Sequence, residues 1–152
     1  MKLAQALLER ADLQKRLAQM EERLCNNARV QEGEKPAENP ETLLEELNRM
    51  LERLETLTAQ INLTNSAAQA EGSALTCLLA KRDAEKLRLK MLRNFLDRAS
   101  SLTDRMRQSE IKILSTVDVA ALQKELDHRS KAYRELDARI QAANWTVDLI
   151  EQ

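Results

Sequence analysis

Apolar residues recur along most of this chain at alternating intervals of three and four. Leu3, Ala6, Arg10, Leu13, Leu17, Met20 and Leu24 open the pattern, and it predicts a first helix over residues 2–28. Leu43, Leu47, Met50, Leu54, Leu57 and Ile61 repeat it, predicting a second helix over 40–70. Leu75, Leu78, Arg82, Glu85, Leu89, Leu92, Leu96, Ala99, Thr103 and Met106 trace a third over 74–107. Leu122, Leu126, Tyr133, Leu136, Ile140, Val147 and Ile150, with Arg129 and Ala143 between them, mark a fourth over 118–150. Extra leucines (Leu7, Leu8, Leu44, Leu51, Leu63) widen the stripes beyond a two-stranded seam. A wide stripe suits a helix that touches several neighbours.

The breaks in this pattern place the turns. Gly33, Pro36 and Pro40 stand among polar residues, so 29–39 reads as a loop. Asn39 fits the N-cap of the second helix and Pro40 its first turn. Gly72 can take the left-handed conformation that closes a helix, and Ser73 can cap the next. So short a connection predicts that helices two and three form a long antiparallel hairpin, each arm roughly 45 Å long. Residues 109–117, Ser-Glu-Ile-Lys-Ile-Leu-Ser-Thr-Val, are β-branched and partly alternating. They predict an extended segment, lying along the bundle or pairing with its copy in another subunit. Asp118 fits the N-cap of the last helix. The expected fold is a single all-α domain, a three- to four-helix bundle around that hairpin.

Charge sharpens the picture. The second helix opens acidic (Glu41, Glu45, Glu46, Glu52, Glu55), and the third is basic beyond Lys81 (Lys86, Arg88, Lys90, Arg93, Arg98, Arg105, Arg107). Folding at Gly72 would set Glu52 near Arg93, Glu55 near Lys90 or Arg88, and Arg49 near Asp97, selecting register more than adding stability. Over the whole chain 24 Lys+Arg face 25 Asp+Glu, so no global field gathers nucleic acid or anionic membrane.

Composition narrows the function classes. The first residues run straight into a charged amphipathic stretch without an apolar core, which does not read as a signal peptide. No run of 18 apolar residues occurs, so no spanning helix is expected and a cytoplasmic location fits. Cys25 and Cys77 are the only cysteines; in a reducing compartment they read as small packed side chains rather than a disulfide.

Several stretches together resemble a family of bacterial helical proteins labelled septicolysin-like. They are Met1 to Leu13, Asn27 to Gly33, Ile61 to Asn65, Leu75-Thr76 through Arg82-Asp83, Ser109-Glu110-Ile111, Thr116-Val117-Asp118, Arg134-Glu135-Leu136-Asp137 and Asn144-Trp145. The resemblance covers nearly the whole chain. It implies an all-helical protein and, through its label, action on membranes; it implies no catalytic residue.

Candidate chemistry is sparse. Glu125 and His128 stand at i and i+3, the spacing used in helical di-iron bundles, but His128 is the one histidine of the chain and cannot complete such a site within one subunit. The plainer reading is a solvated histidine or a pair with Glu125. A nucleophile would have only His128, on an exposed-looking helix, as its base, and no phosphate-binding glycine loop occurs. Neither a metal nor a cofactor is expected, and the chain reads as a non-enzyme. Asn144-Trp145-Thr146 and Asn62-Leu63-Thr64 match a glycosylation pattern that has meaning only with secretion.

The candidate site is a polar seam: Arg10, Asn62, Asn65, Arg82, Asp83 and Glu85. Ionised groups at seam positions need partners, so these residues either anchor a ligand or fix register, with an internal pairing of Arg10, Arg82 and Glu85 favoured. Asn27, Asn62 and Asn65 are expected to hydrogen-bond within the bundle. Tyr133 and Trp145 are candidate interface anchors, and Trp145 alternatively closes one end of the bundle.

The leading reading is a self-associating helical scaffold, a homo-oligomer held by apolar helix faces. An RNA- or tRNA-binding arm is the alternative suggested by the basic third helix. That helix carries Phe95 as its one aromatic and no glycine interleaved with basic residues, which weighs against nucleic acid. The identity of any small-molecule ligand stays open at this level.

Overall fold

The computed structural model describes residues 1–102 and 111–151. Its architecture is all-α, as the periodicity predicts. The elements run α1 (Leu3–Asn26), α2 (Pro40–Ala67), β1 (Gln69–Ala70), β2 (Ser73–Ala74), α3 (Leu75–Ser100) and α4 (Val119–Thr146). They group into two compact units. The first comprises Met1–Gln69 with Ala142–Gln152, and the second Ala70–Gln141.

In the first unit α1 and α2 lie antiparallel, as their cross-links show: Glu9 meets Arg53, and Arg23 meets Glu46. Leu3, Ala6, Leu13 and Met20 of α1 pack with Leu43, Met50, Leu57 and Ile61 of α2 as buried core, which removes apolar surface from water. The caps behave as the sequence predicts. Asn39 accepts the Glu41 backbone N–H at 2.9 Å with Pro40 in the first turn. Asn27, buried at the end of α1, donates to the Arg23 carbonyl at 2.8 Å and accepts the Glu38 N–H at 2.9 Å. It thereby fixes where the 29–39 loop returns, and Arg23 adds a charged clamp on Glu38 (Nε to Oε2, 3.1 Å).

The end of the chain differs from expectation. The fourth helix stops at Thr146 instead of reaching Ile150. Val147–Glu151 run extended beside the amino terminus: Leu3 N–H donates to Val147 O at 3.0 Å, and Leu149 N–H to Met1 O at 2.8 Å. Lys2 bridges Asp148, and the Met1 amine bridges Glu151. Val147 and Ile150 fit a helical repeat, but extended backbone buries Leu149 instead, and pairing with another segment satisfies the orphaned carbonyls and amides.

The connection after α2 also departs from the helix-closing glycine. The helix ends at Ala67, and Glu71 (φ 52°) and Gly72 (φ 78°) are both left-handed. They form the two-residue turn of a very short hairpin between β1 and β2, the conformation that suits the natural twist of paired strands. Ser73 is therefore a strand residue, and Ala74 holds the N-cap position of α3 without a side-chain cap.

In the second unit α3 and α4 run antiparallel, with Arg82 meeting Asp137 and Glu85 meeting Arg129. Leu89, Leu96 and Leu126 form the core, flanked by Leu92, Val119, Leu122 and Tyr133. Asp118 caps α4 by accepting the Ala121 N–H at 3.0 Å. Arg93, expected opposite Glu52, reaches Ser130 Oγ at 3.4 Å, and Arg53 takes Glu9; registering charges thus work inside each helix pair. Of the extended segment expected at 109–117, residues 111–117 carry neither helix nor strand. Ile113, Leu114 and Thr116 line a shallow depression with Phe95, Arg98 and Leu102 of the α3 end. The expected seam positions Thr103 and Met106, and residues 109 and 110, lie outside the described residues. The thiols of Cys25 and Cys77 are free and exposed rather than packed. No helix among the described residues is long and apolar enough to cross a membrane.

Candidate functional site, a cleft between α3 and α4

The pairing of α3 with α4 changes character along its length. Toward the end of α3 it is a leucine contact. Toward the start of α3 the facing positions carry Lys81, Arg82 and Glu85 on one side and Glu125, Arg129, Tyr133 and Asp137 on the other. Long polar side chains reach outward for solvent and partners, and the small Ala132 leaves space between the helices. A cleft of about 470 Å³ results, bounded by Lys81, Glu85, Arg129, Tyr133, Leu136 and Arg139.

The charges of the cleft are largely committed. Arg82, half-buried, donates to Asp83 Oδ1 at 2.9 and 3.0 Å and approaches Asp137 Oδ1 at 3.5 Å. Burial pulls its pKa down, but the two carboxylates outweigh that and raise it above the ordinary arginine value. Glu85 accepts from Arg88 at 2.7 Å and lies 3.6 Å from Arg129. Arg129 in turn donates to Glu125 at 2.9 Å, which raises its pKa. Arg139 bridges Glu71 of the hairpin turn at 2.6 Å. Such a network fixes how two helices align.

The candidate residues distribute as follows. Arg82, Asp83 and Glu85 do form a polar layer, and Tyr133 packs beside it on the leucine core. Their partners are Asp137, Arg88 and Arg129, so the expected pairing with Arg10 is replaced by one across α3 and α4. Arg10 is half-buried on α1 of the other unit. Asn62 is exposed and Asn65 half-buried on α2; of the asparagines, Asn27 carries the structural hydrogen bonds. Trp145 is exposed near the end of α4. His128 is exposed at the cleft, and Glu125 prefers Arg129 to it. Among the described residues no group of three or more His, Cys, Asp or Glu is placed to hold a metal. Sequence reasoning missed Asp137 and Arg139. Asp137 follows Tyr133 by four residues and Arg139 follows Leu136 by three, so each neighbours a seam residue on α4, a signal present in the helical periodicity.

These features define a class: an all-α protein of long antiparallel helix pairs with an ion-paired polar layer in one of them. The chain belongs to a family of unknown function (DUF6847), whose model matches residues 10–149. It is similar to a functionally unknown conserved protein from Corynebacterium diphtheriae, whose crystal structure superposes with a TM-score of 0.92 at 38% identity, covering 99% of each chain. No curated protein matches it.

Proposed function

We propose that this protein is a non-catalytic, self-associating helical scaffold that buries the outer face of α3 against a second copy of itself. One observation carries this reading: Leu87, Met91 and Phe95, at successive intervals of four on α3, are 53%, 60% and 48% exposed. Residues at i, i+4 and i+8 make one ridge on a helix. Ala80 and Ala84, also exposed, extend the ridge toward the start of α3. A contiguous apolar ridge on a surface is a mark of association.

Charge complementarity supports a second copy as the occupant. The ridge is flanked by Lys86, Arg88 and Lys90. The exposed side of α2 carries Leu44 and Leu51 among Glu41, Glu45, Glu52 and Glu55. An apolar ridge with basic flanks on one copy and an apolar stripe with acidic flanks on another favour mutual burial in a fixed orientation. The commitment of the α3–α4 charges to one another supports the non-catalytic part of the reading.

Sedimentation or light scattering of the purified chain at micromolar concentration tests it. An oligomer is expected, and Met91→Glu is expected to give a monomer with unchanged helical circular dichroism. A monomeric parent chain overturns the proposal. So does vesicle leakage that Met91→Glu abolishes while the parent chain remains monomeric, which would assign the ridge to lipid.

A further inference from the structure

We infer that the cleft between α3 and α4 is a binding site for a small organic carboxylate with an apolar body. It borders the Leu87–Met91–Phe95 ridge on α3: at about 100° per residue, Lys81 falls ~80° and Glu85 ~120° from Met91 at the centre of the ridge.

The size is right. About 470 Å³ lies within the ~300–1,000 Å³ typical of small-molecule sites. The wall is apolar where Ala132, the Tyr133 ring and Leu136 meet. The charge is what selects the ligand. Both acids of the cleft are already taken, Glu125 by Arg129 and Glu85 by Arg88 and Arg129. A ligand cation would compete with arginines for them. Of the cations, Arg129 is held by those acids and Arg139 by Glu71. Lys81 stands at the edge with no hydrogen bond or ion pair among the described residues, and the Tyr133 hydroxyl likewise has no side-chain partner there. An ammonium and a hydroxyl that line the same cleft match a single negative charge with two acceptor oxygens. A carboxylate seated there would lay its apolar body along Tyr133 and Leu136. The ion pairs of Arg129 with Glu85 and Glu125, all lining residues, hold the two walls of the cleft in register.

The chain itself supplies the reporter. His128 and Tyr133 are its one histidine and one tyrosine, and both line the cleft, so their ring proton resonances report occupancy locally. Titration of the parent chain with 1-naphthoate is expected to shift both sets of resonances saturably. The neutral isostere 1-naphthamide should bind at least ~10-fold more weakly, because it lacks the charge-assisted contact. Lys81→Glu should weaken naphthoate by at least ~10-fold, while Lys81→Arg should stay within ~3-fold. Lys81 is exposed, so neither variant threatens the fold, and an unchanged thermal midpoint confirms this. The inference fails if neither ring responds to naphthoate up to its solubility limit. It fails equally if the amide binds as well as the acid, or if Lys81→Glu binds as the parent does.

Discussion

The backbone N–H of Ile150 donates to the hydroxyl of Thr64 at 2.9 Å, and that hydroxyl donates onward to the Gln60 carbonyl at 2.7 Å. Thr64 is fully buried. One threonine thus ties the extended carboxyl segment to α2. Thr64→Val keeps the volume but removes the acceptor of the part-buried Ile150 N–H, a loss of about 1 kcal/mol. Urea denaturation should show it as a lower midpoint with unchanged slope, and Thr64→Ser should recover most of the difference. A valine variant as stable as the parent would mean that the Ile150 amide is solvated and the tie unimportant.

The two leucine cores make a second, contrasting expectation. Leu57 and Leu89 are buried at the centre of their respective units. Replacing either by Ala removes contacts and leaves a cavity, costing about 2–5 kcal/mol. Leu44 and Leu87, equally leucine and equally in a helix, are about half exposed. Their Ala variants should lie within ~0.5 kcal/mol of the parent in the dissociated chain. Chemical denaturation of the four variants at low concentration separates core from ridge. Similar losses at all four positions would contradict the burial pattern.

That contrast also explains what could be read from residues alone. Helical periodicity places Leu57 and Leu89 in a seam correctly, and Asn39, Pro40 and Asp118 announce their caps, because these signals act over one or two turns. Periodicity cannot say which helix lies opposite which. Short connection length favoured α2 against α3, and the acidic and basic stripes agreed with that choice. In each unit, however, the loop-connected neighbours take the charges: Arg53 goes to Glu9 and Arg82 to Asp137. The polar layer at Arg82, Asp83 and Glu85 was legible because charged residues interrupt a leucine repeat. Its partners Asp137 and Arg139 were not, since each looks like an ordinary surface charge until α4 is set against α3. The extended ending failed for another reason. Val147 and Ile150 continue a helical repeat in the sequence, and only pairing with Met1–Leu3 reveals the alternative.

The Glu9–Arg53 pair is one of three in the first unit, with Glu38–Arg23 and Asp148–Lys2, that make its stability depend on pH. Hydrogen bonds from Arg53, at 2.6 and 2.9 Å, hold the Glu9 carboxyl below its ordinary value of 4.5, against a smaller opposing effect of burial. A carboxyl with a depressed folded pKa contributes stability that is fully present above its unfolded pKa. That contribution disappears as pH falls through the folded value. Stability should therefore be flat from neutral pH to about 5 and decline below about 4.5. Both partners are partly exposed, so the share of this pair is about 0.5 kcal/mol. Glu9→Gln should lower stability by that amount at neutral pH and converge with the parent in acid. Curves that stay parallel down to pH ~3 would assign the loss to something other than ionisation.

The thiols offer a chemical test of the two helix starts and ends. Cys25 sits in the last turn of α1 and Cys77 in the first turn of α3, both exposed. Two thiols per chain should react with a disulfide reagent in native buffer, without denaturant, because access rather than unfolding limits the rate. Cys25→Ser and Cys77→Ser should each remove one equivalent and leave the melting temperature within experimental scatter. Reaction that needs denaturant would show that either thiol is covered, and dependence on protein concentration would place it under the associating surface.

Glu71 is held in the left-handed region at φ 52°, where a side chain other than Gly or Asn is strained by about 1 kcal/mol. Its ion pair with Arg139, exposed on both sides, returns at most about that much, and salt screens it. Asn tolerates the left-handed backbone, and Asn-Gly is the preferred pair in a two-residue hairpin turn. Glu71→Asn therefore removes a strain that salt cannot touch and an attraction that salt can. At low ionic strength the two should nearly cancel. At ~0.5 M salt, where the Debye length falls to a few ångström, the variant should be the more stable by about 0.5–1 kcal/mol. Melting curves at the two salt concentrations read the difference directly. A variant less stable at both would mean that the carboxylate holds the turn by its bond to Arg139, and that the backbone there is not strained by its side chain.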